Sequence, residues 1–179
     1  MGRGCLFGPV VAAAVILPPR HGIRGLNDSK LLEAEERERL DELIRARAIA
    51  WAVGQGDVKE IDRINILQAS RLAMRRAVEA LAVRPELLLV DAVTIDVAIQ
   101  QKPLIKGDAR SHSIAAASIV AKVYRDRMLQ EFDRQYPEYG LGRNKGYGTP
   151  EHRAALDRLG PTPFHRRTFA PVRQLELFA

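Results

Sequence analysis

Cysteine is almost absent from this sequence. Cys5 is the only cysteine among 179 residues, which excludes a disulfide-bonded scaffold and a zinc site built from several cysteines. The four histidines also lack the close spacing of zinc-binding motifs. A single cysteine with no base near it in sequence is typical of a small buried residue, and it favours a reducing compartment, the cytoplasm.

Long apolar runs, internal repeats and nucleotide-binding glycine motifs are also missing. The longest apolar run, residues 10–17, has the length of a strand and ends at Pro18-Pro19, whereas a membrane helix needs about 20 apolar residues. This segment also lacks the cleavage site of a secretory signal. With 46% hydrophobic and 28% charged residues, the chain is expected to form one domain, residues 1–179, that does not associate with membranes.

A net charge of +6 at pH 7 is compatible with a phosphate-rich partner, because a basic surface displaces counterions from a nucleic-acid backbone. Many basic proteins bind no nucleic acid, so the charge alone leaves this question open.

Apolar runs alternate with amphipathic segments along the chain, and this alternation predicts an α/β layered domain. The predicted strands are residues 10–17, 49–53 and 87–90. The predicted helices are residues 30–46, 64–81 and 113–135, together with one that begins at Thr149-Pro150 and ends before Gly160. The apolar stripe expected on helix 113–135 consists of Ala117, Ala121, Tyr124, Met128 and Phe132.

Two aspartates are candidate metal ligands. Asp91 follows the apolar strand 87–90, where a strand end can hold a carboxylate at the rim of a sheet, although such a residue can also simply form a turn. Asp126 flanks the apolar face of a long helix, where it could face a metal or pair with a basic neighbour such as Arg125. Two carboxylates brought together would favour the hard cations Mg²⁺ and Mn²⁺.

Two glycine-containing segments could contact a ligand. Gly2-Arg3-Gly4 could allow a close approach of the backbone, since glycine has no side chain. The loop Arg143-Asn144-Lys145-Gly146-Tyr147-Gly148 places an aromatic ring in a basic segment, which could grip a phosphate and stack on a sugar or base. An ordinary surface loop would have the same composition.

Five segments in the same order resemble ribonuclease HII over almost the whole chain. They are Gly2-Arg3-Gly4 with Gly8-Pro9-Val10-Val11-Ala12-Ala13-Ala14, Leu26-Asn27-Asp28-Ser29-Lys30, Asp91, Ser113-Ile114-Ala115-Ala116-Ala117-Ser118-Ile119-Val120-Ala121-Lys122, and Lys145-Gly146-Tyr147-Gly148-Thr149. The resemblance implies a ribonuclease H-like mixed sheet flanked by helices, with a helical substrate-binding segment at residues 136–179. It also implies an endonuclease that cuts the RNA strand of RNA–DNA hybrids and single ribonucleotides in duplex DNA.

The resemblance further implies roles for individual residues, in a protein expected to be a monomer. Asp91 and Asp126 would be catalytic ligands of Mn²⁺ or Mg²⁺. The residues implied to bind substrate are Gly2, Arg3 and Gly4 at the 2′-hydroxyl, Tyr147 on the neighbouring sugar, and Asn27, Ser29, Lys30, Lys122 and Lys145.

The family pattern has a further Asp-Glu pair before Gly-Arg-Gly, on a central strand, but here Met1 stands immediately before Gly2. We therefore expect residues 1–179 alone to be poorly stable and to show little metal-dependent cleavage. One hypothesis is a misassigned start codon. The alternatives to an active nuclease are a hybrid-binding module without catalysis and an inactive fragment.

Overall fold

The computed structural model describes the backbone of residues 1–177 and the side chains of residues 1–174. The strands are β1 Val10–Ile16, β2 Ala50–Gly56, β3 Leu87–Asp91 and β4 Gln100–Leu104. The helices are α1 Ala34–Arg47, α2 Val58–Glu79, α3 Gly107–Arg110, α4 His112–Gln135, α5 Leu141–Asn144, α6 Pro150–Leu159 and α7 Ala170–Leu177, with a 3-10 turn at Pro137–Tyr139. In the described part of the chain, no helix is both long and apolar enough to cross a bilayer.

The predicted strands and helices are all present, and the α/β class is confirmed. Thr149 is the N-cap of α6, as predicted, and its side chain accepts a hydrogen bond from the His152 amide. Pattern analysis missed β4, whose sequence QQKPL lacks apolar alternation. No helix was predicted where α7 lies, at Ala170–Leu177.

The chain divides into two compact units, each built from several segments. The first unit contains Met1, Val11–Gln55 and Ser70–Val123. The second contains Gly2–Val10, Gly56–Ala69 and the chain from Tyr124 onward.

The strands of the first unit form two two-stranded sheets. In one sheet β1 pairs with β2, and the Ile49 amide donates to the Ile16 carbonyl at 2.8 Å. In the other, β3 and β4 run parallel, with Leu88 beside Gln101 and Asp91 beside Leu104. The parallel register brings the carboxyl end of β3 to the same edge as that of β4, and Asp91 lies at that edge.

A close helix–strand contact in the first unit depends on small residues. A Cβ atom added to Gly54 would lie 2.2 Å from the Ala73 carbonyl oxygen and 2.5 Å from the Ala77 amide nitrogen. Because both are backbone atoms, no side-chain movement could make room for it. Gly54 on β2 therefore allows α2 to pack directly on the strand.

Polar side chains determine where α2 begins and where it is interrupted. The Asp57 carboxylate accepts from the Glu60 amide, and the Glu60 carboxylate accepts from the Asp57 amide, which is a reciprocal capping box at the start of α2. Asn65, with φ +66°, interrupts α2, and its side chain accepts from the amides of Leu67 and Gln68. The predicted helix from residue 64 is thus the second part of a longer, broken helix.

An aromatic cluster fills the second unit. Phe7 is fully buried, and its ring makes edge contacts with Phe132 at 5.2 Å and with His165 at 4.9 Å between centroids. Leu129 and Leu156 are fully buried in the same cluster. Phe7 thereby anchors the segment that follows Gly2-Arg3-Gly4 in the core.

The buried face of α4 differs from the predicted stripe. Apart from Ala121, the stripe residues are only partly buried, whereas the fully buried positions include Ala116, Ile119, Val120 and Leu129. The stripe was wrong because β-branched residues, which pack well, occupy the neighbouring face. As a result Asp126 lies on the buried side, only 9% exposed.

Two leucines of the first unit should differ sharply in how much they contribute to the free energy of unfolding. Leu40 on α1 is 0% exposed, within a cluster that includes Ile44 and Ile119, whereas Leu31 is 72% exposed. We expect Leu40→Ala to lower the free energy of unfolding by roughly 2–5 kcal/mol and Leu31→Ala by less than about 0.5 kcal/mol. Urea unfolding followed by circular dichroism measures both, and equal losses would contradict this core.

Candidate active site

Arg166 holds the loop that contains Gly2-Arg3-Gly4. This arginine is fully buried. Its Nε donates to the Gly8 carbonyl and its Nη1 to the Arg3 carbonyl, each at 3.0 Å, while its own amide donates to the Leu6 carbonyl at 2.9 Å. Burial lowers the pKa of Arg166 to about 10, so the guanidinium remains positively charged at neutral pH. One residue thus fixes the loop at three carbonyls.

Arg125 on α4 joins this loop to the loop around Tyr147. It is 3% exposed, and its guanidinium donates to the carbonyls of Phe7 at 3.1 Å, Pro9 at 3.4 Å and Lys145 at 2.9 Å. The first two carbonyls belong to the N-terminal loop and the third precedes Gly146-Tyr147. A buried cation therefore links the two segments predicted to bind substrate.

Two glycines allow these loops to approach each other and the arginine. The Leu6 amide donates to the Gly146 carbonyl at 2.8 Å. Gly146 has φ +78°, and an added Cβ would lie 3.1 Å from the Phe7 carbonyl oxygen. Gly2 has φ +80°, and its Cβ would lie 2.2 Å from Arg125 Nε. Both positions require glycine for conformation and for space.

The two loops bring the tyrosine ring to the surface beside the glycine segment. Tyr147 is 50% exposed, and an added Cβ at Gly4 would lie 3.9 Å from its ring. Cys5 is fully buried, as predicted, and its thiol donates to the Lys145 carbonyl at 3.4 Å. The pKa of Tyr147 is raised first by neighbouring Cys5, then by burial, and more weakly by Asp126. The phenol therefore stays protonated at neutral pH.

A pair of buried histidines lies behind Tyr147. His152 Nδ1 is 2.8 Å from the Tyr147 carbonyl oxygen, and His152 Nε2 is 3.0 Å from His165 Nε2. The Thr162 amide donates to His165 Nδ1 at 3.0 Å. Burial lowers the pKa of both rings, that of His165 to about 3. Both histidines are therefore neutral at physiological pH.

In the first unit, Asp91 is an exposed carboxylate at the end of β3. Its Oδ1 accepts from the Gly107 amide at 3.2 Å. The next residue, Ala92, has φ +57°, a left-handed conformation that non-glycine residues adopt at a cost of about 1 kcal/mol or more. The chain thus turns sharply just after the aspartate, which keeps the carboxylate at the sheet edge.

The other predicted substrate residues of the first unit differ in exposure. Asn27 and Lys30 are exposed, and Lys122 is partly buried. Ser29 is fully buried, and its hydroxyl has no hydrogen-bond partner within the described residues. Its carbonyl accepts from Arg37 at 3.1 Å, so the loop is tied to α1 through its backbone.

Asp91 and Asp126 are the carboxylates predicted to bind a divalent metal ion. Among residues whose side chains the structure describes, no three His, Cys, Asp or Glu side chains form a group that could hold a metal ion. Mg²⁺ and chemically similar ions, however, often use one or two carboxylates and take their other ligands from water and substrate phosphates. The exposed Asp91 and the helix-borne Asp126 fit that chemistry as individual ligands.

The sequence-based reasoning missed Arg125, Arg166, His152 and His165 as parts of the site. Arg125 was considered only as a possible ion-pair partner of Asp126, and the histidines only as zinc ligands. Their contacts join residues up to 163 positions apart, which local pattern cannot reveal. A usable signal was the glycine-rich stretch of residues 2–8, which forms no helix or extended strand, so that its backbone carbonyls need donors from elsewhere.

Comparison with known proteins identifies the family. The model of the family described as ribonuclease HII matches residues 1–172. The chain belongs to the ribonuclease HII family. It is 57% identical over 173 residues to a ribonuclease HII of Solibacter usitatus, covering 97% of this chain and 76% of that protein. It is 58% identical over 174 residues to a ribonuclease HII of Desulfitobacterium hafniense strain Y51, covering 97% of this chain and 67% of that protein.

Solved structures confirm the ribonuclease H-like fold. The ribonuclease H2 from Pyrococcus horikoshii OT3 superimposes with a TM-score of 0.82 at 27% identity, covering 99% of this chain and 94% of that one. A ribonuclease HIII in complex with Mn²⁺ has a TM-score of 0.72 at 21% identity, covering 100% and 68%. As a member of the ribonuclease HII family the chain is a ribonuclease H hydrolase. The family acts on RNA–DNA substrates, and ribonuclease H enzymes use divalent metals.

The bonds of Arg125 predict a large loss of stability when it is replaced. Arg125→Met keeps an apolar stem but leaves three carbonyls without their donor, so we expect the free energy of unfolding to fall by about 3 kcal/mol. Arg134→Met is the matched control, because Arg134 on the same helix makes an exposed ion pair with Glu131, worth less than about 1 kcal/mol. Urea unfolding measures both; similar losses would contradict the structural role of Arg125.

Proposed function

We propose that this protein cleaves the RNA strand of RNA–DNA hybrids and the bond at single ribonucleotides embedded in duplex DNA. One observation carries the proposal. The ribonuclease HII match over residues 1–172 coincides with a loop, Gly2-Arg3-Gly4, that two buried arginines hold beside an exposed Tyr147. The chain thus has a rigid and accessible surface on which the substrate of the family could bind.

Gly2, Arg3 and Gly4 are proposed to contact the 2′-hydroxyl, the group that distinguishes RNA from DNA. Because the carbonyls of Arg3 and Gly8 are bound to Arg166, the loop has little freedom to adapt to a ligand. A preformed loop favours one geometry of sugar, and the half-exposed Tyr147 ring would pack against the neighbouring sugar.

Asp91 and Asp126 are proposed as ligands of the divalent ion, either Mn²⁺ or Mg²⁺. When bound, such an ion can activate a water and stabilise the leaving oxygen of a phosphodiester. Asp91 offers an exposed carboxylate that a backbone amide orients. Asp126 offers one that α4 holds on its buried side.

The remaining polar residues are proposed to position phosphates. Asn27 and Lys30 are exposed and suit direct contact, as do Lys122 and Lys145, which are partly buried. Ser29 fits this role less well, because its hydroxyl is buried. We further propose that the protein acts as a monomer in the cytoplasm, a compartment that suits its lone, buried Cys5.

A second candidate function is hybrid binding without catalysis. The observation that favours it is the absence of any group of three potential metal ligands among the described side chains. The arginine-held loop and the Tyr147 surface do not depend on a metal, so they could bind a duplex by themselves.

Substitution of Asp91 separates the two functions. In a version extended before Met1 by the family's Asp-Glu pair and its strand, we expect Asp91→Asn to reduce cleavage of a duplex with one ribonucleotide at least about 100-fold, a loss of ~3 kcal/mol in transition-state stabilisation. Duplex affinity should change little, because the amide has the same volume. Gel analysis of cleavage in Mn²⁺ and fluorescence anisotropy for binding measure the two effects. Asp108→Asn, on a nearby half-buried position, is the matched control.

The same assay compares residues 1–179 with a version carrying, before Met1, the Asp-Glu pair and its strand from a ribonuclease HII relative. Cleavage only by the extended version would support both the proposed function and the expected need for four carboxylates. Equal cleavage by both would show that the pair is dispensable. If both versions bind the duplex and neither cleaves it, the hybrid-binding module is favoured. If the two versions show no binding and no cleavage, the proposed function is overturned.

A further inference from the structure

The main chain at Tyr147 is held from behind by two buried histidines in series. The Tyr147 carbonyl lies 2.8 Å from His152 Nδ1, His152 Nε2 lies 3.0 Å from His165 Nε2, and His165 Nδ1 lies 3.0 Å from the Thr162 amide nitrogen. His152 is 0% and His165 1% exposed. Water therefore cannot replace any of these bonds.

The partners at the two ends determine where the protons lie. A carbonyl can only accept, so His152 Nδ1 carries a proton and donates it to Tyr147. An amide can only donate, so His165 Nδ1 accepts from Thr162, and the proton of the neutral ring is on Nε2. His165 Nε2 then donates to His152 Nε2. All four ring nitrogens are satisfied in this single arrangement.

The arrangement tolerates only neutral rings. A second proton on His152 would oppose two N–H groups across the 3.0 Å contact, and one on His165 would oppose the Thr162 amide. Burial lowers the pKa of both histidines, consistent with this requirement. The histidines also connect to the glycine loop, because Phe7 forms an isolated antiparallel bridge with His165.

We propose that His152, supported by His165, is a positioning residue that fixes the main chain at Tyr147 so that its exposed ring meets the sugar next to the ribonucleotide. The inference rests on the proposed function of the Tyr147 surface. The Tyr147 ring is half exposed, so its direction depends on the backbone beneath it. The Tyr147 carbonyl also accepts from the Thr149 amide at 2.8 Å, but that donor is only two residues away and cannot tie the carbonyl to the rest of the unit.

A double-mutant cycle between His152 and Tyr147 tests this role. His152→Leu removes the donor to the Tyr147 carbonyl, whereas His152→Asn can place an amide N–H near the position of Nδ1. We expect Tyr147→Ala to weaken binding of a duplex with a single ribonucleotide roughly 5- to 100-fold. We expect His152→Leu to weaken it at least about 5-fold when Tyr147 is present and less than about 2-fold when it is combined with Tyr147→Ala.

His152→Asn should recover most of the affinity. In the version extended by the family's Asp-Glu pair and its strand, His152→Leu should raise KM more than it lowers kcat. His112→Leu is the matched control, because His112 also contacts a histidine, His21, at 3.3 Å but lies in an exposed pair; its affinity should stay unchanged. Fluorescence anisotropy measures binding, and thermal melts show that each variant folds. Where His152→Leu fails to fold, His152→Gln is carried through the same cycle with the same expected losses, because its longer side chain cannot place the amide N–H at the position of Nδ1.

Equal losses from the His152 substitution with and without Tyr147→Ala would overturn the inference, since they would show a merely structural role. Nitrogen-15 NMR of the imidazoles tests the same bonds without substrate: we expect a proton on Nδ1 of His152 and on Nε2 of His165. The opposite tautomers would also overturn it. If the unsubstituted protein binds no ribonucleotide-containing duplex while its NMR tautomers are as expected, the proposed function fails and the histidine geometry stands.

Discussion

Two guanidinium groups lie buried in the second unit, and each needs fixed carbonyls to replace the water that it has lost. Removing a cation from water costs several kcal/mol unless good hydrogen bonds compensate. Arg166 finds its acceptors at Arg3 and Gly8, and Arg125 finds its own at Phe7, Pro9 and Lys145. The N-terminal segment and the segment around Lys145 therefore cannot move away from the arginines without leaving a buried positive charge short of hydrogen-bond acceptors.

The features of the site around Tyr147 follow from this constraint. Gly2 must be glycine because a Cβ would collide with Arg125, and Gly146 because a Cβ would press on the Phe7 carbonyl. The buried histidines extend the same principle with neutral groups, since each ring nitrogen has a partner and His165 Nδ1 has both the amide and the hydroxyl of Thr162. The Tyr147 ring thus protrudes from a support held by buried hydrogen bonds, which is how a site on loops can be rigid.

Local sequence patterns predicted the elements that carry the site but not the contacts that assemble it. The apolar run before Asp91 and the Thr149 cap were sufficient to place β3 and α6, because propensity and capping act over a few residues. The role of Arg166 depends on partners more than a hundred residues away in the sequence, and that of His165 on a histidine about a dozen residues away. The left-handed Ala92 and Lys145 were also unpredictable, because tertiary contacts impose that conformation on residues that disfavour it.

Buried hydrogen bonds lock the loop after Gly2-Arg3-Gly4 to the rest of its unit. Amide hydrogen exchange measures this directly at Leu6, whose N–H donates to Gly146, and at Gly8, whose N–H donates to Phe164. The account predicts that both amides exchange only through large-scale opening, as slowly as amides in the middle of α4. Exchange at the rate of the exposed loop around Asn27 would contradict it.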